Sequence, residues 1–170
     1  MLDALVRDGF IRPCPGAQPN CRLFVIPKSL QKVSLIADLR FLNEVSKPYL
    51  GTFRLPTIRD VVGFISRFPP GQLWGVKFDL WNFYWSLRVP DGFGDLFRVY
   101  GGVFDSLPCG WNMSPLSAQE TLRRFVGEYV GPGEPLVGQE GGLGVWLNLD
   151  DILILAPDKE LCGLVAMGII

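Results

Sequence analysis

Three aspartates have the side chains and the positions in the sequence that a catalytic metal site would need. Asp79 ends an apolar run, and Asp150 and Asp151 stand together between two strongly β-favouring runs. Adjacent carboxylates beside buried strand sequence are costly unless a cation neutralises them. Three carboxylates at strand ends in one sheet can hold two Mg²⁺ ions roughly 3.5–4 Å apart, the arrangement that serves phosphoryl transfer. The alternative interpretation of the adjacent pair is an ordinary Asp-containing turn.

The composition argues against most other site chemistries. The 170 residues include no histidine, and the four cysteines form no CxxC pair, which argues against a zinc site, a histidine-based triad or a disulfide scaffold. The hydrophobic fraction of 48% is enough for a folded core. No apolar run approaches the roughly 20 residues that cross a bilayer, and the N-terminus lacks a secretory pattern. We therefore expect an intracellular protein of the cytoplasm or nucleus, with no membrane partner.

Charge is divided unevenly along the chain. Residues 1–70 contain ten Lys and Arg against five Asp and Glu, whereas residues 71–170 contain six against twelve. A basic half followed by an acidic half would suit a chain that holds a polyanion and metal ions at neighbouring sites. A chance imbalance of solvated faces is the alternative.

The elements that must position the aspartates are a mixture of helices and strands. β-favouring runs predict an early hairpin, a buried strand that ends at Asp79, a hairpin at Gly101-Gly102 and a last hairpin with the twin aspartates at its tip. Ser114 is predicted to cap a helix that has Pro115 at its first position. The predicted apolar face of that helix consists of Ala118, Leu122, Phe125, Val126 and Tyr129. The predicted strands are 22–27, 33–38, 73–79, 145–149 and 152–155, the other helices are 2–7 and 57–65, and the predicted loop is 131–144.

An ordered set of motifs in this chain resembles the reverse transcriptases of retroelements. The segment VKFDLWNFYWSLRVP is similar to the first catalytic motif of that family, LPCGWNMSP followed by Gln119 to the second, and LDDILIL to the third. Upstream, GFIRP, VIPK, ADLRFLN and FRLPTI resemble the segments that lead through the fingers to the palm. The resemblance extends over roughly residues 8–156.

The resemblance implies an α+β fold with reverse-transcriptase-like fingers and palm. Residues 1–70 would form the fingers-like part and residues 71–170 the palm-like catalytic part of one continuous domain, with an antiparallel palm sheet packed on helices. The domain would be truncated before the thumb. A full-length element is expected to add the missing thumb and RNase H segments.

The resemblance also implies a function and a set of site residues. The chain would be a fragment of an RNA-directed DNA polymerase from a retrotransposon-like element, which transfers nucleotides to a primer 3′-hydroxyl with two Mg²⁺ ions, or Mn²⁺ in their place. Its partners would be an RNA or DNA template with its primer and a dNTP. The implied catalytic and metal-binding residues are Asp79, Asp150 and Asp151, with the backbone carbonyl of Leu80 as a further metal ligand. The implied nucleotide-binding residues are Lys28, Lys32, Arg40, Tyr84, Gly110 and Gln119.

Each implied nucleotide-binding role has its own physical basis. Lys28, Lys32 and Arg40 would meet phosphate, and the alternatives are a solvated hairpin face for the lysines and an ion pair with Asp38 for Arg40. Tyr84 would lie beneath the sugar and exclude a 2′-hydroxyl, or else be a core aromatic. Gly110 would let the backbone approach the nucleotide, and Gln119 would brace that region.

Several positions depart from the family pattern. Ser34 stands where the fingers hairpin usually carries an arginine, Phe83 where a small residue is usual beside the sugar gate, Cys109 where glutamine or phenylalanine is usual and Asn148 where tyrosine is usual. A guanidinium fork is not replaced by a hydroxyl. The alternative function is therefore a catalytically inactive, degenerate or domesticated module that binds nucleic acid or protein. An RNA-templated RNA polymerase is a third alternative, which the spacing of Tyr84 disfavours. The isolated chain is expected to be inactive even if the complete polymerase is active.

Overall fold

The computed structural model shows a mixture of helices and antiparallel strands. It describes residues 2–29, 33–47, 54–90, 92–130 and 142–169. In chain order the elements are α1 (Leu2–Arg7), β1 (Ile11–Pro13), β2 (Arg22–Pro27), β3 (Val33–Asp38), α2 (Arg40–Ser46), α3 (Ile58–Ile65), β4 (Trp74–Asp79), α4 (Phe83–Ser86), a 3₁₀ helix (Phe93–Phe97), β5 (Arg98–Val99), β6 (Gly102–Phe104), α5 (Ser114–Val130), β7 (Gly144–Asn148), β8 (Asp151–Ala156) and α6 (Lys159–Ile169).

The chain divides into two compact units, and each is built from two separate stretches of sequence. Unit 1 comprises Met1–Gly51 and Asn82–Leu116, and unit 2 comprises Thr52–Trp81 and Ser117–Ile170. The predicted division into a fingers-like part and a palm-like part at residue 70 stays a prediction.

Unit 1 contains a hairpin and a small sheet. The hairpin pairs β2 with β3, and the sheet has the strand order β1-β6-β5. The pairing of Ile11 with Phe104 joins strands that are far apart in the sequence. Both of these side chains are buried, together with Phe97, whose ring packs edge-on against Trp111 at 5.1 Å between centroids. Burial of such apolar surface is the main stabilising contribution to the unit.

Unit 2 is organised around a sheet with the strand order β4-β8-β7. The central strand β8 alternates in burial, with Ile152 and Ile154 fully buried, as a half-buried antiparallel strand should. Helix α6 packs against β4 and β8. Phe64 of α3 packs edge-on against Trp146 of β7, with 5.1 Å between ring centroids. These contacts hold the sheet that carries all three candidate aspartates.

The early predicted hairpin and the predicted hairpin at the twin aspartates are both present. Strands β2 and β3 have the predicted bounds, and β7 and β8 pair around the twin aspartates. Two finer predictions are wrong. Strand β4 is mostly exposed, with Trp74 half-exposed, because it lies at the edge of its described sheet. Phe125 is exposed, while Ala118, Leu122 and Val126 form the buried face of α5. Helix α5 begins at Ser114, whose buried hydroxyl donates a hydrogen bond to the Pro108 carbonyl at 2.8 Å, and the capping role of Ser114 stays a prediction.

Two predictions of absence concern the described part of the chain. Within it, no helix is long and apolar enough to cross a membrane. The four cysteines, all of which lie among the described residues, are free thiols. The predicted loop 131–144 falls mostly outside the described residues, and so do Lys32 and the side chain of Tyr129.

Candidate functional site

The turn between β7 and β8 carries the twin aspartates. Leu149 and Asp150 form the turn, and Asp151 is the first residue of β8. Leu149 has φ 58°, a left-handed conformation that is uncommon for a residue other than glycine. Such a turn needs support from its surroundings to persist.

Helix α5 supplies that support through Gln119. The Gln119 side chain is only 3% exposed. Its Nε2 donates to the Leu147 carbonyl at 2.9 Å, and its Oε1 accepts from the Leu149 amide at 2.8 Å. One buried amide thus satisfies a donor and an acceptor on the same turn, which fixes the backbone beside both aspartates.

Asp79 lies next to the twin aspartates across the sheet. It is paired with Asp151 in the antiparallel register of β4 and β8, and Asp151 is paired with Asn148 on its other side. Directly opposed residues of antiparallel strands project from the same face, with Cβ atoms roughly 4.5–5.5 Å apart. The Leu80 amide donates to the Asp150 carbonyl at 2.7 Å, which ties the end of β4 to the turn. We call the three paired residues Asp79, Asp151 and Asn148 the polar row.

Lys77 brings a positive charge to the polar row. Its Nζ lies 2.8 Å from Asp151 Oδ1. The hydrogen bond and the charge of Asp151, followed by the charges of Asp79 and Asp150, raise the pKa of Lys77 above its ordinary value. Sequence reasoning missed this residue. The signal was the Lys-x-Asp spacing, since alternate residues of a strand share a face.

The chemical type of the available donor atoms, which are oxygens, suits a hard divalent cation. Carboxylate oxygens are the ligands that Mg²⁺ prefers, and the ammonium of Lys77 stands where a cation would be attracted. The side chains are not gathered as ligands, however. Among the residues that the structure describes, no group of three or more Asp, Glu, Cys or His side chains is placed to hold a metal ion. Metal binding by Asp79, Leu80, Asp150 and Asp151 stays a prediction.

Gly110 lies in a loop of unit 1 where a side chain would not fit. Its φ is +118°, and a Cβ atom there would collide with the carbonyl oxygen of Ala37. The Ala37 amide donates to the Cys109 carbonyl at 2.9 Å, and Asn43 Nδ2 donates to the Gly110 carbonyl at 2.9 Å. The close approach predicted for Gly110 is thus made to the chain's own backbone, and its nucleotide-binding role stays a prediction.

Asn43 is the centre of a polar network that sequence reasoning missed. Its Oδ1 accepts from the Asn112 amide at 2.8 Å, and its carbonyl accepts from Asn112 Nδ2 at 3.1 Å. The Ser46 hydroxyl donates to Asn112 Oδ1 at 2.9 Å. The segment ADLRFLN, which ends at Asn43, is identified only by its family resemblance, and the partners of Asn43 lie almost 70 residues away, so spacing cannot predict them. Helix α2 therefore holds the loop that contains Gly110.

Arg40 forms the ion pair that was the alternative to phosphate binding. Its Nε and Nη2 lie 2.9 and 2.8 Å from the two carboxylate oxygens of Asp38. Hydrogen bonding from Arg40 holds the pKa of Asp38 below its ordinary value. Lys28 is exposed at the end of β2, in the connection to β3. The nucleotide-binding roles of Lys28 and Arg40 stay predictions.

Tyr84 belongs to the short helix α4. Asn82, just before this helix, has φ 54°, and the ring of Phe83 is buried. Tyr84 is half-buried and meets Phe83 edge-on, with 6.3 Å between ring centroids. The predicted residues therefore divide between the units. Asp79, Leu80, Asp150, Asp151 and Gln119 belong to unit 2, and Lys28, Arg40, Tyr84 and Gly110 belong to unit 1.

Comparison with known proteins defines the fold as reverse-transcriptase-like. No family model matches the chain, and no curated protein sequence matches it. The solved structures that are similar to this chain include three of the foamy viral protease-reverse transcriptase. The form named dRH, in complex with double-stranded DNA, has a TM-score of 0.66 at 17% identity over 99% of this chain and 27% of its own. A second complex with double-stranded DNA gives 0.68 at 17% identity over 98% and 32%.

The third similar structure is a mutant of the prototype foamy virus enzyme. It has a TM-score of 0.67 at 17% identity, over 98% of this chain and 20% of that one. The chain thus spans a third or less of the proteins that it resembles. At this identity the likeness concerns the fold alone, so function must be argued from the site.

Proposed function

We propose that this chain carries the nucleotidyl-transfer site of an RNA-directed DNA polymerase. The observation that carries the proposal is the pairing of Asp79 with Asp151, beside Asp150, in a sheet of a reverse-transcriptase-like fold. An acidic pair directly across two strands is destabilising by itself, so it needs a compensating role or a compensating cation. Gln119 supports the proposal because it fixes the turn that presents these carboxylates.

The proposed site uses two divalent cations. Asp79, Asp150 and Asp151 would hold Mg²⁺, or Mn²⁺, with the Leu80 carbonyl as a further ligand. When bound, the ions would lower the pKa of a primer 3′-hydroxyl and stabilise the leaving pyrophosphate. The role of the carboxylates is to provide negative charge at this end of the sheet, and the role of Gln119 is to keep the turn rigid.

The proposed substrates are a primed RNA or DNA template and a dNTP. Two of the similar proteins were solved in complex with double-stranded DNA, which supports a nucleic-acid partner for this fold. Lys28 and Arg40 would contact phosphate and Tyr84 would select the sugar.

A preference for dNTP over rNTP that is lost in Tyr84→Ala would support the role of Tyr84. A palm in residues 71–170 and fingers in residues 1–70 belong to the same proposal.

The first test measures metal-dependent nucleotide binding and then primer extension by the 170-residue chain. We expect Mn²⁺ to promote dNTP binding, and Asp79→Asn and Asp150→Asn to lower it by at least about tenfold, since each removes a charged ligand. Any extension of a primed template should fall by about 100-fold or more in the same variants. Asp95→Asn, which removes an exposed carboxylate of unit 1, is the matched control. Equal nucleotide binding by Asp79→Asn, Asp150→Asn and the unmodified chain would overturn the proposal.

A second candidate function is a nucleic-acid-binding or protein-binding module without catalysis. The ion pair of Lys77 with Asp151 favours it, because that pair already neutralises one proposed ligand. Asn148, in place of the usual tyrosine, stands beside Asp151 in the polar row. This candidate predicts that a primed template binds equally well with Mg²⁺ and with a chelator. A divalent-cation requirement for dNTP binding would argue against it.

A further inference from the structure

We propose that Lys77 is a built-in counter-ion of the carboxylate site, which a divalent cation must displace from Asp151 before it can bind. The inference rests on the proposed function, because it concerns the metal site of that function. It assigns to Lys77, a residue to which the family resemblance gives no role, the function of setting how tightly the site binds metal.

The strand register explains why Lys77 reaches this site. Lys77 and Asp79 are alternate residues of β4 and project from the same face. Asp79 is opposite Asp151, so the Lys77 side chain has only to lean along its strand to meet Asp151 diagonally, at 2.8 Å. All three aspartates act electrostatically on the Lys77 ammonium. A single side chain thus supplies positive charge to the whole group.

The exposure of the pair makes it exchangeable. The side chains of Lys77 and Asp151 are 63% and 39% exposed. Exposed ion pairs contribute little to stability, so releasing the ammonium into water costs little. A divalent cation brings twice the charge to the same oxygens, and the two cations repel each other if both remain. Displacement of Lys77 therefore accompanies metal binding.

The ion pair with Lys77 occupies one of the proposed metal ligands. Asp151 is engaged by Lys77, and among the described residues no three potential ligands are gathered around one point. Metal binding would then require that Asp151 exchange its partner.

The test compares Mn²⁺ affinity among lysine variants of the full chain, measured by calorimetry and by the electron paramagnetic resonance of free Mn²⁺. We expect Lys77→Gln to bind Mn²⁺ about tenfold more tightly, because the competing charge is removed. Lys77→Arg, which keeps the charge, should bind no more tightly than the unmodified chain. Lys159→Gln is the matched control: it removes a lysine of the same unit, which lies 5.2 Å from the centre of the Trp74 ring. It should change the affinity less than twofold.

A second measurement on the unmodified chain keeps the test independent of the variants. Acetylation of Lys77, followed by mass spectrometry, should become several-fold faster when Mg²⁺ is added, whereas acetylation of Lys159 should not change. If Mn²⁺ binding depends on Asp79 but Lys77→Gln binds no more tightly, the inference is wrong and the proposed function stands. If neither the unmodified chain nor Lys77→Gln binds Mn²⁺ in an Asp79-dependent way, both are overturned.

Discussion

Gly110 shows how strongly a single residue can be constrained in this fold. Replacement by alanine should lower the free energy of unfolding by about 3 kcal/mol, because φ is +118° and the new Cβ would collide with the Ala37 carbonyl. Urea unfolding measures the change. Gly63→Ala is the control: Gly63 lies within α3 with open space around it, and alanine there should stabilise the helix by up to about 1 kcal/mol. Equal effects of the two substitutions would contradict the close approach at Gly110.

Gln119 is the residue whose loss should loosen the twin-aspartate turn. Gln119→Leu should cost about 2 kcal/mol of stability, because the Leu147 carbonyl and the Leu149 amide would lose their buried partner. Hydrogen exchange at the Leu149 amide should accelerate more than exchange elsewhere in the sheet. Glu120→Gln, at an exposed position of the same helix, should leave both measurements nearly unchanged. Unaltered protection of the Leu149 amide in Gln119→Leu would show that the turn does not depend on this side chain.

Helix α3 has a capping box at its N-terminus. The Thr57 amide donates to Asp60 Oδ2 at 2.7 Å, and the Asp60 amide donates back to the Thr57 hydroxyl at 3.4 Å, which forms a capping box. The hydrogen bond from the Thr57 backbone is the main reason that the pKa of Asp60 is lowered from 3.8. A carboxyl whose pKa is lower in the folded protein stabilises it above the unfolded pKa and ceases to do so as pH falls through the folded pKa.

A pH titration of stability therefore tests this cap. We expect the stability of the unmodified chain to decline below about pH 4, as the carboxylates become protonated. In Asp60→Asn the part of the decline that comes from the cap should be absent, so the difference between the two proteins should shrink as pH falls. The control Gly63→Ala, which leaves Thr57 and Asp60 in place, should keep the full pH dependence. A difference between unmodified chain and Asp60→Asn that stays constant from pH 6 to pH 2 would contradict the assignment.

The elements also show which features are predictable from sequence. The β2–β3 and β7–β8 hairpins join strands that are neighbours in the sequence, so their β-favouring runs and turn residues contain most of the required information. The exposure of β4 was mispredicted because it depends on the order of strands in the sheet rather than on the residues of β4. Lys77 and Asn43 were missed because their partners lie on elements that are distant in the sequence. The motifs located the three aspartates, but only the register shows which of them are opposed.

At the scale of the whole molecule, the difference in charge between the two units is smaller than the difference between residues 1–70 and residues 71–170. Unit 1 contains nine Lys and Arg against seven Asp and Glu, and unit 2 contains seven against ten. Unit 1 is thus the more basic unit, but by much less than the first 70 residues alone would indicate. Specific cations rather than a general basic surface should therefore decide how the chain binds nucleic acid.

The salt dependence of template binding tests one such cation. Each phosphate that a lysine neutralises contributes about −0.9 to the slope of log K against log salt concentration. If Lys28 meets phosphate as proposed, Lys28→Gln should make the slope for a primed duplex shallower by about one. Lys159→Gln removes the same charge elsewhere and should leave the slope unchanged. If the plots of log K against log salt concentration have the same slope for Lys28→Gln and for the unmodified chain, Lys28 does not contact phosphate.

The discontinuity of both units has a consequence for biosynthesis. Strand β1 pairs with β6 at Phe104, and β4 pairs with β8 from Asp151 onward, so each waits for a partner that the ribosome adds much later. Nascent domains generally fold as units at synthesis rates of about 5–20 residues per second, and unpaired strand edges promote aggregation meanwhile. The first stretch of each unit is synthesised well before the second, so unit 1 is complete only once Leu116 has been added and unit 2 only once its second stretch, which begins at Ser117, has been added. The yield of folded protein in cells should therefore depend on chaperones that shelter β1 until β6 has been synthesised and β4 until β8 has been synthesised.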